Sequence, residues 1–215
     1  MTRRYYVIGI LLTAATFVAT FIVYAHLPDL VPTHWNLAGQ PDDYSAKWTL
    51  FLIGPGAMAG LMMFFRFLPW LSPKHWEVDS FPATYLYIML VLLCMVAYCH
   101  LLILRAGLGH TADVRRALLG GICLLFALLG NVLGKVRRNF YIGIRTPWAL
   151  ANERVWNSTH RFAAKTFVAC GLLGLVLTAL GLKGWPTFAS LISAALVPAI
   201  YSLVLYKQLE RRGQL

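Results

Sequence analysis

Three side chains capable of acid–base or anion-binding chemistry lie close together between Gly130 and Lys165. A guanidinium such as that of Arg145 can hold a carboxylate or phosphate through two parallel hydrogen bonds. A carboxylate and an imidazole, here Glu153 and His160, can exchange protons with a substrate if both reach it. One hypothesis is therefore an enzyme that acts at this segment.

The same segment also has the composition of an ordered structural loop. Arg145 could cap backbone carbonyls, while amide and imidazole groups hold the loop against neighbouring helices. The members of this network would be Asn139, Asn152, Glu153 and His160. A third interpretation is a plain basic loop at a membrane surface. The variety of polar and aromatic side chains exceeds what a basic loop alone requires.

Within this segment, Arg145-Thr146-Pro147 predicts the start of a helix. Thr146 can cap the helix, and Pro147 suits the first turn because its missing N–H is not needed there. One side of the predicted helix is lined by Trp148, Ala151, Val155, Thr159 and Phe162. This pattern predicts an interfacial amphipathic helix that leads into the next apolar run.

Composition indicates a membrane protein. Of the 215 residues, 59% are hydrophobic and 13% charged, and the mean hydropathy is +0.66, which is too apolar for a soluble globule. Six apolar runs have roughly the 20 residues that a helix needs to cross hydrocarbon. They are Tyr5 to Ala25, Thr49 to Leu68, Thr84 to Leu104, Ala117 to Leu133, Thr166 to Leu182 and Phe188 to Tyr206. We predict an all-α, polytopic integral membrane protein in which residues 1–215 form one membrane domain.

The distribution of basic residues predicts the orientation. With both termini inside the cell, 14 of the 19 lysines and arginines fall in inner segments and 5 remain outside. This N-in/C-in arrangement places the interfacial helix, between spans four and five, on the inner side. The net charge of +11 is concentrated in the inner loops, as membrane insertion alone would produce. We therefore expect contact with anionic membrane lipids and no direct binding of nucleic acid.

The predicted spans carry no carboxylate, since all eight acidic residues lie in loops or tails. Ion-coupled carriers usually place a charged group near the midplane. The break Gly54-Pro55-Gly56 could still expose backbone groups, which supports an alternative function as a small transporter or lipid-handling protein. Two small-xxx-small spacings permit either an oligomer or packing within one chain. They are Gly56 with Gly60 and Gly130 with Gly134.

The sequence has no motif of a zinc protease, a nucleophile elbow or a Walker loop, and no paired-cysteine zinc signature. Its four cysteines lie in apolar spans, where thiols behave as small hydrophobes. Four histidines project outward in the predicted topology, but their spacing to nearby aspartates matches no metal-ligand pattern. They are His26, His34, His100 and His110. We expect no metal, no cofactor and no catalysis.

The loop after the first run, from Leu27 to Trp48, predicts an ordered outer cap that completes a first section at residues 5–48. Its prolines and glycine impose turns, and its aromatic rings suit the boundary of the headgroups. The candidate functional residues are Pro32, His34, Trp35, Asn36, Gly39, Pro41, Asp42 and Lys47.

The segment at residues 130–165, GNVLGKVRRNFYIGIRTPWALANERVWNSTHRFAAK, resembles the signature region of the SdpI immunity-protein family. That region has a GN..GK motif followed by N.F.GIRTPW.L.NE.VW..TH. The outer loop resembles a small domain of unknown function that often precedes it. One departure is Arg138, where many relatives have proline. The candidate functional residues of this segment are Asn131, Lys135, Asn139, Gly143, Arg145, Thr146, Pro147, Trp148, Asn152, Glu153, Trp156, His160 and Arg161.

The resemblance implies a membrane protein that confers immunity to a secreted, membrane-active peptide toxin. It also implies, for some members, release or sequestration of a cytoplasmic transcriptional repressor at the inner face. Our own hypothesis is that the outer cap and the ends of the spans bind this peptide. Composition and spacing by themselves indicate a helical membrane protein with two ordered polar surfaces on opposite sides. Immunity is the leading hypothesis, ahead of transport and of catalysis.

Overall fold

The computed structural model describes residues 2–36, 39–74, 76–110, 113–182 and 184–215. In these residues six helical segments are long and apolar enough to cross a membrane. The segments are α1 (Thr2–Tyr24), Lys47–Leu71 ending in α2 (Ala57–Leu71), α3 (Pro82–Gly107), α4 (Val114–Leu133), α6 (Glu153–Ala179) and α7 (Gly184–Arg211). The predicted all-α, multi-pass membrane protein is confirmed.

A short helix, α5 (Pro147–Ala151), precedes α6 and corrects the predicted amphipathic helix. That helix does not run continuously from Trp148 to Phe162, because Asn152 between them has extended dihedral angles of φ −140° and ψ 130°. The Asn152 side chain accepts hydrogen bonds from the backbone N–H groups of Arg154 and Val155, so it starts a new helix. That helix continues as the fifth candidate span.

The outer loop forms an antiparallel hairpin of β1 (Leu30–Trp35) and β2 (Pro41–Ala46). The sequence predicted an ordered loop there but no strands. Thr33 and Ser45 link the strands through their hydroxyls at 3.1 Å. Val31 is fully buried in a cluster with Leu27, Leu50 and Leu104. Burying an aliphatic side chain of this size contributes roughly 1.5–3 kcal/mol to stability. Val31 therefore anchors β1.

The chain divides into two compact units, of which the first comprises Met1–Arg66 and Met89–Gly121. Here the Gly54-Pro55-Gly56 break forms a π-helical turn, Leu52–Gly56. His100 of α3 packs against Gly54, where any Cβ would overlap its ring. The imidazole Nε2 lies 2.7 Å from the Thr20 hydroxyl. The break therefore accommodates a buried histidine, and His100 does not lie with the histidines of the outer loop.

The second unit comprises Phe67–Ile88 and Ile122–Leu215, and its main packing is between α6 and α7. Pro198 lies inside α7 and has no N–H to offer the Ala194 carbonyl one turn earlier. The Thr166 hydroxyl of α6 shares its proton between that carbonyl and the Ala163 carbonyl of its own helix, each at 3.1 Å. A side chain of one helix thus satisfies the group that proline leaves open in the other, as bundles in membranes require.

Candidate functional site

Asn139 organises the turn that follows α4. Its side chain is fully buried, and the amide oxygen accepts from the N–H groups of Tyr141 and Ile142, each at 2.7 Å. The amide nitrogen donates to the carbonyls of Arg137 at 2.8 Å and Ile142 at 3.1 Å. All the donors of this amide are in use, and so are both acceptor positions. Among the common side chains, only asparagine offers two N–H donors and two acceptor positions on so short a side chain.

A stack of Trp156 on His160 connects the turn to α6. Both rings are fully buried, with centroids 3.9 Å apart. The indole N–H of Trp156 donates to the carbonyl of Val136 at 2.8 Å. His160 accepts from the backbone N–H of Ile144 through Nε2 at 3.0 Å. The segment on each side of Asn139 is therefore tied to the same turn of α6.

Gly143 lies directly against this imidazole. Its φ of 114° falls in the region that favours glycine, and a Cβ at this position would overlap Nε2 of His160. Two independent restrictions, dihedral angle and space, therefore require glycine here. We call Asn139, Gly143, Trp156 and His160, with the backbone groups they bond, the turn lock.

The hydrogen bonds of His160 assign its tautomer. Because Nε2 accepts from the N–H of Ile144, the ring proton lies on Nδ1, which donates to the Trp156 carbonyl at 2.9 Å. Both ring nitrogens of this buried imidazole are engaged. Glu153 and Arg145 are exposed. The geometry of the three side chains thus supports the structural interpretation of His160 and gives it no free nitrogen for proton transfer.

Thr146 begins α5, as the sequence predicted. Its hydroxyl oxygen accepts from the N–H of Ala149 at 3.2 Å, and Pro147 occupies the first helical position. The hydroxyl also lies 2.7 Å from that of Ser202 in α7. Ser202 in turn donates to the Ala199 carbonyl at 2.6 Å, so Thr146 is the donor to Ser202. The start of α5 is therefore fixed both locally and to α7.

A separate hydrogen bond fixes the end of α5. Arg138 donates from its guanidinium to the carbonyl of Leu150 at 3.3 Å. This arginine is the residue at which the sequence departs from the resembled signature, and it provides a bond that proline cannot. Its guanidinium carbon also lies 4.7 Å from the ring centroid of Trp76.

Trp76 belongs to a contact that the sequence did not reveal. Its ring stacks on that of Phe140 with centroids 4.2 Å apart. Arg145 donates to the carbonyl of Phe140 at 2.5 Å, and the Tyr141 hydroxyl donates to the carbonyl of Leu71 at 3.0 Å. Arg145 thus caps a backbone carbonyl, one of the two roles considered for it. The distance in sequence between Trp76 and Phe140 explains why no local pattern predicted their contact.

The remaining signature residues are mostly exposed. No ion pair in the described part of the chain includes Glu153, which lies in the first turn of α6 and suits the positive end of the helix dipole. Arg161 donates to the carbonyl of Asn157 on its own helix at 3.3 Å. Trp148 is half-buried. The exposed members are Asn131, Lys135, Arg145, Pro147, Glu153 and Arg161.

The predicted outer-loop residues lie in the hairpin or, in the case of Lys47, directly after it. Nδ1 of His34 lies 2.6 Å from the Asp42 carboxylate, and Lys47 pairs with Asp29 at 3.1 Å. The amide oxygen of Asn36 accepts from the N–H of Gln40 at 3.1 Å across the turn. Gly39 lies in that turn with φ 80°, and the strand register pairs Pro32 with Tyr44 and Trp35 with Pro41. No cluster of metal-binding side chains occurs among the residues described.

Two family models match the sequence. The model of the SdpI/YfhL protein family matches residues 135–202, and that of a domain of unknown function (DUF1648) matches residues 11–59. Over 172 residues the chain is 30% identical to the Immunity protein SdpI of Bacillus subtilis (strain 168), covering 80% of each chain. The chain belongs to the SdpI/YfhL protein family. No solved structure matches it significantly.

The residues that the SdpI/YfhL family model matches include the hydrogen-bonded structure described above. The matched residues contain the whole turn lock, from the Val136 carbonyl through His160, and they end at Ser202, the partner of Thr146. The residues matched by the domain of unknown function hold most of α1, the hairpin and the π-helical turn. Membership confirms the resemblance on which the sequence interpretation relied. The chain is a multi-pass cell-membrane protein of the SdpI/YfhL family.

Proposed function

We propose that this chain is an immunity protein that protects the cell producing it against a secreted, membrane-active peptide toxin. The observation that carries the proposal is its 30% identity, over 80% of both chains, to a relative named as an immunity protein. The turn lock supports it, because the signature residues Asn139, Trp156 and His160 are fully buried in one bonded structure. A loop serving topology alone would not need such side chains.

The second part of the proposal assigns sides to the two ordered polar regions. Because six helices alternate in direction across a membrane, the loop between the first and second spans lies opposite the loop between the fourth and fifth. The bias of basic residues places the hairpin outside and the signature segment inside. Toxin contact is then assigned to the hairpin. Anionic lipids, and a cytoplasmic repressor where one exists, are assigned to the exposed Lys135, Arg145 and Arg161.

Cysteine labelling in intact cells tests this orientation. The four native cysteines lie in candidate spans, so variants lacking them can carry one new cysteine, Asn36→Cys or Pro147→Cys, both at exposed positions. A membrane-impermeant thiol reagent should label the Asn36→Cys chain in intact cells and the Pro147→Cys chain only after the cells are opened. The reverse labelling pattern would refute the assignment of sides.

A growth assay tests the immunity function itself. We expect the chain, expressed in a B. subtilis strain that lacks the relative, to raise survival in spent medium of strain 168 or with at least one of a panel of purified membrane-active bacterial peptides. Survival should be clearly higher than with an empty vector. Membrane abundance is checked by immunoblot. No protection against any of these agents at normal abundance would contradict the proposal.

A further inference from the structure

The strand β2 is an exposed edge of the hairpin. In the portion of the chain that the structure describes, the sheet has only the two strands β1 and β2. The first four residues of β2, Pro41 to Tyr44, are all exposed, whereas β1 is anchored by the buried Val31. An edge strand without a neighbour offers backbone donors and acceptors to an added strand.

The charge of this edge is opposite to that of the chain as a whole. Between His26 and Trp48 there are three aspartates and one lysine, in a protein of net charge +11. Lys47 pairs with Asp29, which leaves the two aspartates of β2, Asp42 and Asp43. Asp42 contacts His34, whose side chain is 67% exposed. Arg115 of α4 lies beside Gly39 in the hairpin turn, so the negative charge is confined to β2, and this strand favours a cationic partner over an anionic one.

Backbone and apolar groups of the hairpin are also suited to a peptide. The Asp43 carboxylate accepts from the N–H of Tyr44 at 2.8 Å, so a side chain serves a backbone donor of β2. A carbonyl of an added strand could take its place. Leu30 of β1 and Tyr44 of β2 are each more than half exposed. Large exposed rings beside a strand edge are typical of surfaces that bind other chains.

We propose that β2 binds the toxin as a third strand, and that the bound toxin segment is extended, cationic and amphipathic. The inference rests on the proposed immunity function. A peptide that attacks bacterial membranes is drawn to anionic headgroups by its lysines and arginines. The same side chains would pair with Asp42 and Asp43, its backbone would bond to β2, and its alternate apolar side chains would contact Tyr44.

Binding of a synthetic peptide to the full chain in phosphatidylcholine nanodiscs tests this proposal. The probe is a fluorescent peptide of ten alternating Lys and Val residues, measured by anisotropy. We expect saturable binding, weakened about tenfold by Asp42→Asn with Asp43→Asn, because each surface charge contact contributes about 0.2–1 kcal/mol. Both changes keep the side-chain shape and the acceptor for the Tyr44 N–H. The control is Asp79→Asn, which removes one charge from an exposed acid of the second unit. This change should leave binding unchanged.

A second comparison separates strand pairing from simple charge attraction. The same peptide with every backbone amide N-methylated keeps its charge and side chains but cannot donate ladder hydrogen bonds, so it should bind at least tenfold more weakly. Equal binding of the two peptides, no binding of either, or no effect of the aspartate changes would overturn the strand proposal. The growth assay, run in parallel with the unaltered chain, reports separately on immunity. Protection without peptide binding would leave that function standing and refute only the docking mode.

Discussion

Replacing Asn139 by aspartate is expected to open the turn lock. The change preserves shape but removes both N–H donors, so a carboxylate would face the carbonyls of Arg137 and Ile142 in a fully buried site. An unpaired charge in such a site costs about 3–5 kcal/mol. We therefore expect local opening to become at least about 100-fold more frequent. The rate of trypsin cleavage after Arg137, Arg138 and Arg145 in purified protein measures it.

Asn157→Asp is the matched control for this change. Asn157 lies on α6 within three residues of His160, and its side chain is exposed. The same chemical substitution there should leave cleavage of the loop within about a factor of two of the original rate, since surface changes usually alter stability by less than 0.5 kcal/mol. Equal cleavage rates in the two variants would show that the Asn139 amide does not hold the turn.

Gly143→Ala is expected to have the second largest effect. Alanine at φ 114° is strained by roughly 1–2 kcal/mol, and its Cβ would also displace the His160 ring. Loss of the bond between the imidazole and the N–H of Ile144 would add about 1–3 kcal/mol, because a buried donor would be left unpaired. We expect the thermal unfolding midpoint in detergent to fall by about 4–20 °C.

Gly109→Ala isolates the contribution of backbone strain. Gly109 also has a positive φ, 81°, but a Cβ there would meet nothing within 4 Å. Its substitution should lower the midpoint by only about 2–8 °C. If both glycine variants lost the same stability, contact between Gly143 and His160 would have no energetic role.

The sequence predicted the spans well because one physical quantity determines them. A helix needs a certain apolar length to cross hydrocarbon, and each predicted run lies within or almost within a helix of the structure. The helix ends were less predictable because they depend on single side chains. At Asn152 the side chain caps α6 and ends α5, whereas the apolar pattern on either side favoured one continuous helix.

Contacts between distant segments could not be predicted from the sequence. The hairpin contains Pro32, Pro41 and two adjacent aspartates, which local propensity assigns to turns, and burial of Val31 helps to fix the strands. Signature residues such as Asn139 and His160 could be selected by their motif. Their partners, the N–H groups of Tyr141, Ile142 and Ile144, became known only from the fold.

Survival of toxin-challenged cells that carry loop variants is the most direct test of the account. We expect the turn lock of this SdpI-family membrane protein to support immunity. At equal membrane abundance, cells with the unaltered chain and with Asn157→Asp should survive alike, and cells with Asn139→Asp should survive at least about tenfold less well. Equal protection by all three chains, or protection by none, would contradict it.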